Sequence, residues 1–249
     1  MEHPLLEVCA DSLASCLAAQ EGQADRIELC GNLVIGGTTP SEFLFRQVQK
    51  AVSLPVNVLI RPRFGDFLYT QDELEQMESQ VRRFRELGAN GVVIGALTPE
   101  GDLDVPMLER LRAAAGDLEV TLHRAFDMAR DLPAALETAV SLGFTTILTS
   151  GGESSASQGV HALAKLNRQS GGRIRLLAGA GVKSGNIASI HEATGITAFH
   201  SSCRTSSVNS GMVFRNPRVN MGLPGLSEYE IYRSDPQEVR KCADIVHSL

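Results

Sequence analysis

Near the amino terminus the sequence reads Leu5-Leu6-Glu7-Val8-Cys9-Ala10-Asp11-Ser12, a short strand pattern followed directly by a polar turn. An open doubly wound sheet usually carries Gly-x-Gly-x-x-Gly after its first strand, and this turn contains no glycine. Seven further strand patterns follow, each separated from the next by a helical pattern. Such alternation predicts parallel strands. Without the glycine fingerprint, eight strand–helix pairs favour a closed (β/α)8 barrel of the TIM type.

The spacing of the strand patterns and the length of the chain indicate one domain. We predict strands near Leu5–Cys9, Asp25–Cys30, Val56–Arg61, Gly91–Gly95, Glu119–Arg124, Thr145–Ser150, Ile174–Ala178 and Thr197–Ser201. One such barrel typically needs about 250 residues, and the chain has 249, so we expect a single barrel over residues 1–249. Residues 202–234, rich in Ser, Asn and Gly, are predicted to form a long loop after strand eight, at the end where barrel active sites form.

Two segments between the predicted strands carry helix start signals. Thr39-Pro40-Ser41-Glu42 and Thr70-Gln71-Asp72-Glu73 each place Glu three residues after Thr, which is the spacing of a capping box. We therefore predict that one helix begins at each of these two segments.

The composition and charge of the chain indicate which kinds of binding partner to expect. The net charge is −6 and no basic block is present, so neither nucleic acid nor an anionic membrane is an expected partner. No apolar run approaches the roughly 20 residues of a membrane span, and Met1-Glu2-His3-Pro4 lacks the pattern of a signal peptide. The five cysteines do not suggest a disulfide framework. Free thiols fit a reducing cytosol, so we expect a cytoplasmic protein.

Charged residues interrupt several of the predicted strands. Strand side chains alternate between two faces, and the faces that carry only apolar residues must pack against the helices. The opposite faces then point into the barrel, and they carry Glu7, Arg26, Glu28 and Arg61. His123 shares the inward face of strand five, whereas the pattern leaves the face of His200 on strand eight ambiguous.

Two interpretations of these inward groups stay open. Buried charges must be paired, and a salt-bridge plug that fills the barrel would satisfy them. Alternatively, they form an acid–base site at the barrel mouth, where barrel enzymes work. Glu7 or Glu28 would then act as base and His123 as acid, with His123 oriented by Asp127. The candidate groups for binding an anionic substrate are Arg26, Arg61, Arg124, His200 and Ser201.

Two glycine-containing loops suggest a phosphate site. Thr149-Ser150-Gly151-Gly152 follows strand six, and Ala178-Gly179-Ala180-Gly181-Val182 follows strand seven. Barrels often bind phosphate with backbone N–H groups of their late loops, although the glycines also suit plain tight turns. The predicted phosphate contacts are Ser150, Gly151, Gly179 and Gly181.

Two sets of side chains in the sequence are possible metal ligands. Cys9 and Cys30 end neighbouring strands, which run about 4.8 Å apart, and two thiolates would suit Cu(I). Cys203 is a candidate third ligand, and the alternative is that these thiols pack as small hydrophobes. A harder divalent ion would instead use oxygen and imidazole ligands, although nearby arginines oppose it. That ligand set would be Glu7, Glu28, His123 and His200.

Several segments together resemble one known family, the CutC family, in the same order and over nearly the whole chain. They are Leu6-Glu7-Val8-Cys9, Ala24-Asp25-Arg26-Ile27-Glu28-Leu29-Cys30, Gly36-Gly37-Thr38-Thr39-Pro40, Ile60-Arg61-Pro62-Arg63, Gly65-Asp66-Phe67, His123-Arg124-Ala125-Phe126-Asp127-Met128, Leu148-Thr149-Ser150-Gly151, Phe199-His200-Ser201-Ser202 and Phe214-Arg215-Asn216. The resemblance implies a cytoplasmic TIM-type barrel that forms homo-oligomers and takes part in copper homeostasis. It also implies copper binding at Cys9 and Cys30, and it implies no accepted catalytic reaction.

Three functional hypotheses follow from the sequence. The resemblance favours a copper-handling protein that binds Cu(I) through Cys9 and Cys30. The inward polar groups favour an enzyme that acts on a small anionic or phosphorylated metabolite. The third hypothesis is an oligomeric scaffold whose long loop makes subunit contacts.

Overall fold

The computed structural model describes residues 3–223 and 225–249, so that Met1, Glu2 and Pro224 lie outside the described residues. Eight parallel strands close into a barrel, because β1 pairs with both β2 and β8. Its strands are β1 (Leu5–Ala10), β2 (Arg26–Leu29), β3 (Val56–Leu59), β4 (Gly91–Ile94), β5 (Glu119–Leu122), β6 (Thr146–Thr149), β7 (Arg175–Ala178) and β8 (Ala198–Ser201). The predicted barrel and each of its eight strands are confirmed.

Helices follow the strands along the chain and form the outer layer of the barrel. They are α1 (Leu13–Glu21), α2 (Glu42–Ala51), α3 (Gln71–Glu86), α4 (Val105–Ala115), α5 (Leu132–Ser141), α6 (Val160–Ser170), α7 (Ile187–Thr194) and α8 (Pro236–Val246). In the described part of the chain, none of them is both long and apolar enough to cross a membrane.

The two predicted helix starts have different outcomes. Thr70 and Glu73 form the predicted capping box of α3. The predicted box at Thr39 is wrong, because α2 begins later, with Ser41 accepting the Leu44 N–H. The Thr39 hydroxyl instead accepts the Arg61 N–H at 2.9 Å and thereby ties the start of α2 to the end of β3.

The alternation of side chains on the strands is as the sequence predicts. Leu6, Val8 and Ile27 are fully buried in the large apolar core between strands and helices. Glu7, Arg26 and Glu28 occupy the alternate positions, and these side chains are buried inside the barrel. The lumen is therefore polar on the side of the early strands, whereas the layer under the helices is aliphatic.

The segment after β8 contains more order than the predicted long loop. Ser207–Asn209 (β9) and Glu230–Tyr232 (β10) pair as an antiparallel ribbon. The Ser234 hydroxyl donates to the Ser202 carbonyl at 2.9 Å, so the two ends of the segment meet beside the barrel. We refer to residues 204–233 as the arm; its Pro224 is among the residues not described.

Candidate functional site

Two adjoining cavities open at the carboxyl ends of the barrel strands and share Leu33, Arg124 and His200. The outer cavity, of about 330 Å³, lies between the loops that follow β7 and β8. The inner cavity, of about 120 Å³, lies deeper in the mouth. Its walls include Glu28, Leu59, Arg61, Phe67, His123 and Leu148.

Glu7 is a fully buried carboxylate beneath the site. Its side chain is 0% exposed and accepts from Arg26 Nε at 2.6 Å, while its other oxygen lies 2.7 Å from His200 Nδ1. Burial by itself would raise the pKa of Glu7, but the charges of Arg26 and His200 lower it to about 2. Glu7 is therefore a permanent anion that holds two cations, and it does not line either cavity of the mouth.

Arg26 lies away from the mouth, so its predicted role as an anion anchor is wrong. Its Nη1 atom reaches Glu119, 3.2 Å away, at the amino-terminal end of β5. The physical reason is that Glu7 needs a buried counter-charge, and Arg26, which pairs with Glu7 in the strand register, supplies it.

Glu28 borders the inner cavity and keeps one oxygen free. Its Oε1 accepts from the Cys30 thiol at 3.3 Å, whereas its Oε2 is buried and has no hydrogen-bond partner among the described residues. Burial raises the pKa of Glu28, although the charge of His200 opposes that rise. One oxygen is thus buried without a partner among the described residues, on a carboxylate that gains a proton more readily than an exposed one.

His200 points inward, which settles the face that the sequence left ambiguous. Burial would lower its pKa, but Cys9, Glu28 and Glu7 together raise the pKa well above its usual range. Glu7, Glu28 and His200 bring one polar atom each to within 4.8 Å of one another. Three of the four predicted ligands for a divalent ion therefore lie close together. His123, the fourth, is not part of this cluster.

His123 lies on the β5 side of the same inner cavity. Its Nδ1 accepts the Ala125 N–H at 3.1 Å, which leaves the proton on Nε2. Nε2 is buried and has no protein partner in the described part of the chain. Burial, and next the charge of Arg61, lower the pKa of His123 to about 3. His123 is thus neutral near pH 7, and the predicted role of acid gives way to that of a hydrogen-bond donor.

The backbone opposite His123 is shaped to admit its ring. A Cβ atom at Gly95 would lie 2.5 Å from His123 Cε1, so only glycine fits there without displacing the ring. On another side the ring of Phe67 packs against the imidazole, with 4.7 Å between the ring centroids. These contacts hold the imidazole in one orientation.

Asp127 does not orient His123, so that prediction is wrong. Its carboxylate accepts from Arg124 Nε at 2.7 Å and from the Ser150 and Gly152 N–H groups at 3.0 Å. Both oxygens of the Asp127 carboxylate are therefore occupied by donors, most of them from the loop that follows β6. Asp127 therefore organises the loop after β6 and holds Arg124 at the mouth, where Arg124 lines both cavities.

Most of the predicted phosphate contacts are already used within the protein. The Ser150 N–H donates to Asp127, the Gly151 N–H to the Thr149 hydroxyl, and the Gly179 N–H to the Thr149 carbonyl. An anion cannot take these donors without breaking those bonds, so their assignment as phosphate contacts is wrong. Gly181 does line the outer cavity.

Ser201 and Arg61 support the mouth from two sides. The Ser201 hydroxyl donates to the Val182 carbonyl at 2.7 Å and so joins the loops after β7 and β8. Arg61 donates to the Gly37 carbonyl at 3.0 Å and to the Gly65 carbonyl at 2.6 Å. Its guanidinium lies 5.0 Å from the centroid of the Phe67 ring. Both residues line the mouth, and both donate hydrogen bonds to backbone carbonyls of the surrounding loops.

Lys183 and Arg204 also line the outer cavity, although the sequence pattern did not predict them as site residues. Arg204 forms a 2.8 Å ion pair with Asp11. Both cations stand in the loops that leave β7 and β8, so their position after the last strands was the available signal. With Arg124, they give the outer cavity a basic rim.

Four of the five cysteines form two neighbouring pairs. Cys9 and Cys30 pack in one small inward cluster with Leu59 and Val93. Burial, followed by the charge of Glu28, raises the pKa of Cys30 well above its usual range. The Sγ of Cys203 lies 4.0 Å from that of Cys242 on α8, within the large apolar core. Cys203 is therefore directed away from Cys9 and Cys30, and its predicted role as third ligand is wrong.

The fold and this mouth define a TIM-type barrel with a charge-compensated polar site at the carboxyl ends of its strands. A family model described as the CutC family matches residues 4–205. The copper homeostasis protein cutC homolog of Homo sapiens is 47% identical over 98% of this chain and 90% of its own length. A family protein CutC of Chromobacterium violaceum is 46% identical over 95% of both chains. The chain belongs to the CutC family.

A solved structure agrees with this assignment. A structure described as a copper homeostasis protein CutC from Streptococcus agalactiae superposes with a TM-score of 0.77 and is 32% identical. The match covers 80% of this chain and 98% of the other.

Proposed function

We propose that the mouth binds a small phosphorylated metabolite and performs proton transfer on it. The observation that carries the proposal is a pair of buried atoms without a hydrogen-bond partner among the described residues, Glu28 Oε2 and His123 Nε2, on residues that line one cavity. Buried polar groups in native proteins almost always have a partner. The ligand supplies that partner when it binds.

The basic rim supports an anionic ligand. Arg124, Lys183 and Arg204 line the outer cavity together with His200, whose pKa is raised. Ala180, on the same wall, has a φ of +70°, which costs energy for a residue with a side chain. Backbone strain of this kind clusters at functional sites.

A binding measurement tests the anionic ligand. We expect isothermal titration with glycerol 3-phosphate to show one site per chain, weakened roughly tenfold in Lys183→Met, since one lost ionic contact is worth about 1.4 kcal/mol. Lys165→Met, on the exposed face of α6, is the matched control and should bind as the wild type does. Equal affinity in Lys183→Met and the wild type, or no binding at all, would contradict the proposal.

A second candidate function is Cu(I) handling by Cys9 and Cys30. Membership of a family named for copper homeostasis and the packing of both thiols in one inward cluster favour it. Cu(I) prefers thiolates, so binding must displace the thiol proton of Cys30. That thiol already donates to Glu28 Oε1, and Glu28 has a raised pKa, so the carboxylate can receive the proton.

Competition with a chromogenic Cu(I) chelator tests this candidate. We expect the Cys9→Ser, Cys30→Ser double variant to lose one bound Cu(I) per chain. The Cys16→Ala variant removes a buried thiol from α1, outside the inward cluster, and should keep the ion. Retention of Cu(I) by the double variant would reject this site.

We further propose self-association through the arm and a cytoplasmic location. The arm exposes Met212, Val213, Phe214 and Met221, and exposed apolar patches mark interaction sites. Sedimentation should show a mass above that of one chain, reduced in Phe214→Asp; a wild-type monomer would contradict self-association. All five cysteines carry free thiols, which fits a reducing compartment.

A further inference from the structure

The geometry points to a particular reaction, the deprotonation of carbon next to the carbonyl group of a phosphorylated hydroxy-ketone. Glu28 Oε2 takes the proton, and His123 Nε2–H donates a hydrogen bond to the carbonyl oxygen. The inference rests on the proposed function and adds to it the substrate class and the role of each residue.

The first support is the fixed tautomer of His123. Because the Ala125 N–H occupies Nδ1, the ring presents a donor and not an acceptor at Nε2. Gly95 and Phe67 hold the ring in place. An unpartnered buried donor costs about 1–3 kcal/mol, and an oxygen atom of the ligand removes that cost.

The second support is the free oxygen of Glu28. The Cys30 thiol donates to Oε1, so that Oε2 is the buried oxygen left without a partner in the described residues. Glu28 lies on β2 and His123 follows β5, and both line the inner cavity. A ligand that fits must offer an acceptor to one wall and a proton to the other. A carbonyl oxygen and the hydrogen on the adjacent carbon meet both needs.

The charge states match these roles. A neutral imidazole polarises a carbonyl while keeping its own proton, and enolising enzymes pair such a histidine with a glutamate base. His123 stays neutral near pH 7 because its pKa is about 3. Glu28 borders the same cavity, and its Oε2 has no hydrogen-bond partner in the described part of the chain, so this oxygen is the one assigned to take the proton.

The electrons and protons of the step balance without an external co-reactant. The C–H bond breaks and its proton passes to Glu28 Oε2. The electron pair of that bond forms a C=C bond while the carbonyl π pair moves onto oxygen, where His123 Nε2–H stabilises the negative charge. Return of a proton from Glu28 to carbon restores the ketone, and in D2O the returned atom is deuterium.

The dimensions of the mouth fit a three-carbon phosphate. The inner cavity of about 120 Å³ holds the carbonyl group and its neighbouring carbon, while the outer cavity of about 330 Å³ takes the phosphate beside Lys183 and Arg204. Arg124, which lines both cavities, lies between the two ends of such a ligand.

Hydrogen exchange tests the inference directly. Dihydroxyacetone phosphate in D2O should lose a carbon-bound hydrogen signal in the proton NMR spectrum when the wild-type protein is present. We expect the rate to fall at least 100-fold in Glu28→Gln, because general bases contribute roughly 10²–10⁴-fold. Glu137→Gln, on the exposed face of α5, should exchange like the wild type. Absence of exchange by the wild type, or equal rates in Glu28→Gln, would overturn the inference.

Substitutions of His123 separate a hydrogen-bond role from a packing role. His123→Phe keeps an aromatic ring and removes the N–H donor, so exchange should fall roughly 100-fold or more, as for other lost donors to an oxyanion. His123→Gln retains an N–H and should recover part of that rate. Melting curves of each variant confirm that it folds. Exchange in His123→Phe equal to that of the wild type would remove His123 from the reaction.

A pair of binding probes distinguishes failure of this inference from failure of the proposed function. Phosphoglycolohydroxamate carries a phosphate and mimics an enediolate, whereas glycerol 3-phosphate carries the phosphate and no carbonyl. We expect the hydroxamate to bind at least 100-fold more tightly, as transition-state analogues do. Equal affinities would overturn enolisation and leave the anionic site standing, and binding of neither probe would overturn both.

Discussion

Two histidines face the same inner cavity from opposite sides of the barrel mouth, and the protein sets their charges in opposite directions. Burial lowers the pKa of His123 to about 3, and the charge of Arg61 adds to that effect. His200 is somewhat less buried, yet Cys9, Glu28 and Glu7 raise its pKa well above the usual range. The residue type is the same, so the neighbours decide the charge.

The comparison shows what each side of the mouth is suited to do. On the β8 side, Glu7 and Arg26 with His200 and Glu28 form a compensated cluster of charges. On the β5 side, His123 meets an aromatic ring, a backbone N–H and a cation. A charged wall therefore faces a neutral hydrogen-bond donor, and a ligand between them meets both kinds of chemistry.

The largest expected effect comes from removing Glu7, the buried anion that Arg26 and His200 share. Glu7→Gln leaves Arg26 and His200 without their shared counter-charge, and breaking a buried pair costs about 3–5 kcal/mol. Urea unfolding at pH 7 should show this loss. Glu137→Gln removes a similar pairing with Arg173 at the surface and should change the unfolding free energy little. Equal effects of the two substitutions would show that the Glu7 cluster does not stabilise the fold.

A smaller effect concerns the neutral state of His123 and appears in acid. The unfolded chain protonates this side chain below about pH 6.5, and the folded one only near pH 3. The unfolded state then binds more protons than the folded state. The free energy of unfolding therefore decreases as the pH is lowered through that window, by about 1.4 kcal/mol per pH unit. Between pH 6.5 and about pH 4.5, His123→Gln should lose about 2 kcal/mol less than the wild type.

The control for this acid effect is a histidine outside the mouth. His161→Gln, on the exposed face of α6, should follow the wild-type pH profile. If His123→Gln and the wild type lose stability in parallel over this window, His123 carries a proton in the folded state and the contrast with His200 disappears.

The smallest expected effect comes from crowding the His123 ring. Gly95→Ala places a Cβ 2.5 Å from His123 Cε1, and overpacking of this kind typically costs about 1–3 kcal/mol. We expect a matching fall in melting temperature and a shifted His123 signal in NMR spectra. Gly185→Ala meets no atom within 4 Å and should stay within about 0.5 kcal/mol of the wild type. An unmoved His123 signal in Gly95→Ala would show that the ring tolerates displacement.

Strand alternation was enough to predict that Glu7 and Glu28 face the lumen. It could not orient His200, because polar and apolar residues do not separate cleanly on β8. The closed barrel resolves this, since His200 pairs with Glu7 in the register between β8 and β1 while Phe199 turns into the outer core.

The wrong assignments share one physical cause. Sequence position locates the Cα of a residue, but a long side chain or a free backbone N–H binds whichever partner folding brings near. Arg26 reaches Glu119 at the far end of the barrel, and the Ser150 N–H is taken by Asp127. Cys203 meets Cys242, which lies 39 positions later in the chain.

The amino-acid sequence alone determined the alternation of strands and helices, the polar lumen and the family, because period and residue type are local properties. The tertiary structure decided the charges of His123 and His200, the free atoms of Glu28 and His123, and the identity of each ion pair. Those features depend on burial and on neighbours from distant strands, and burial and neighbours exist only after the barrel closes.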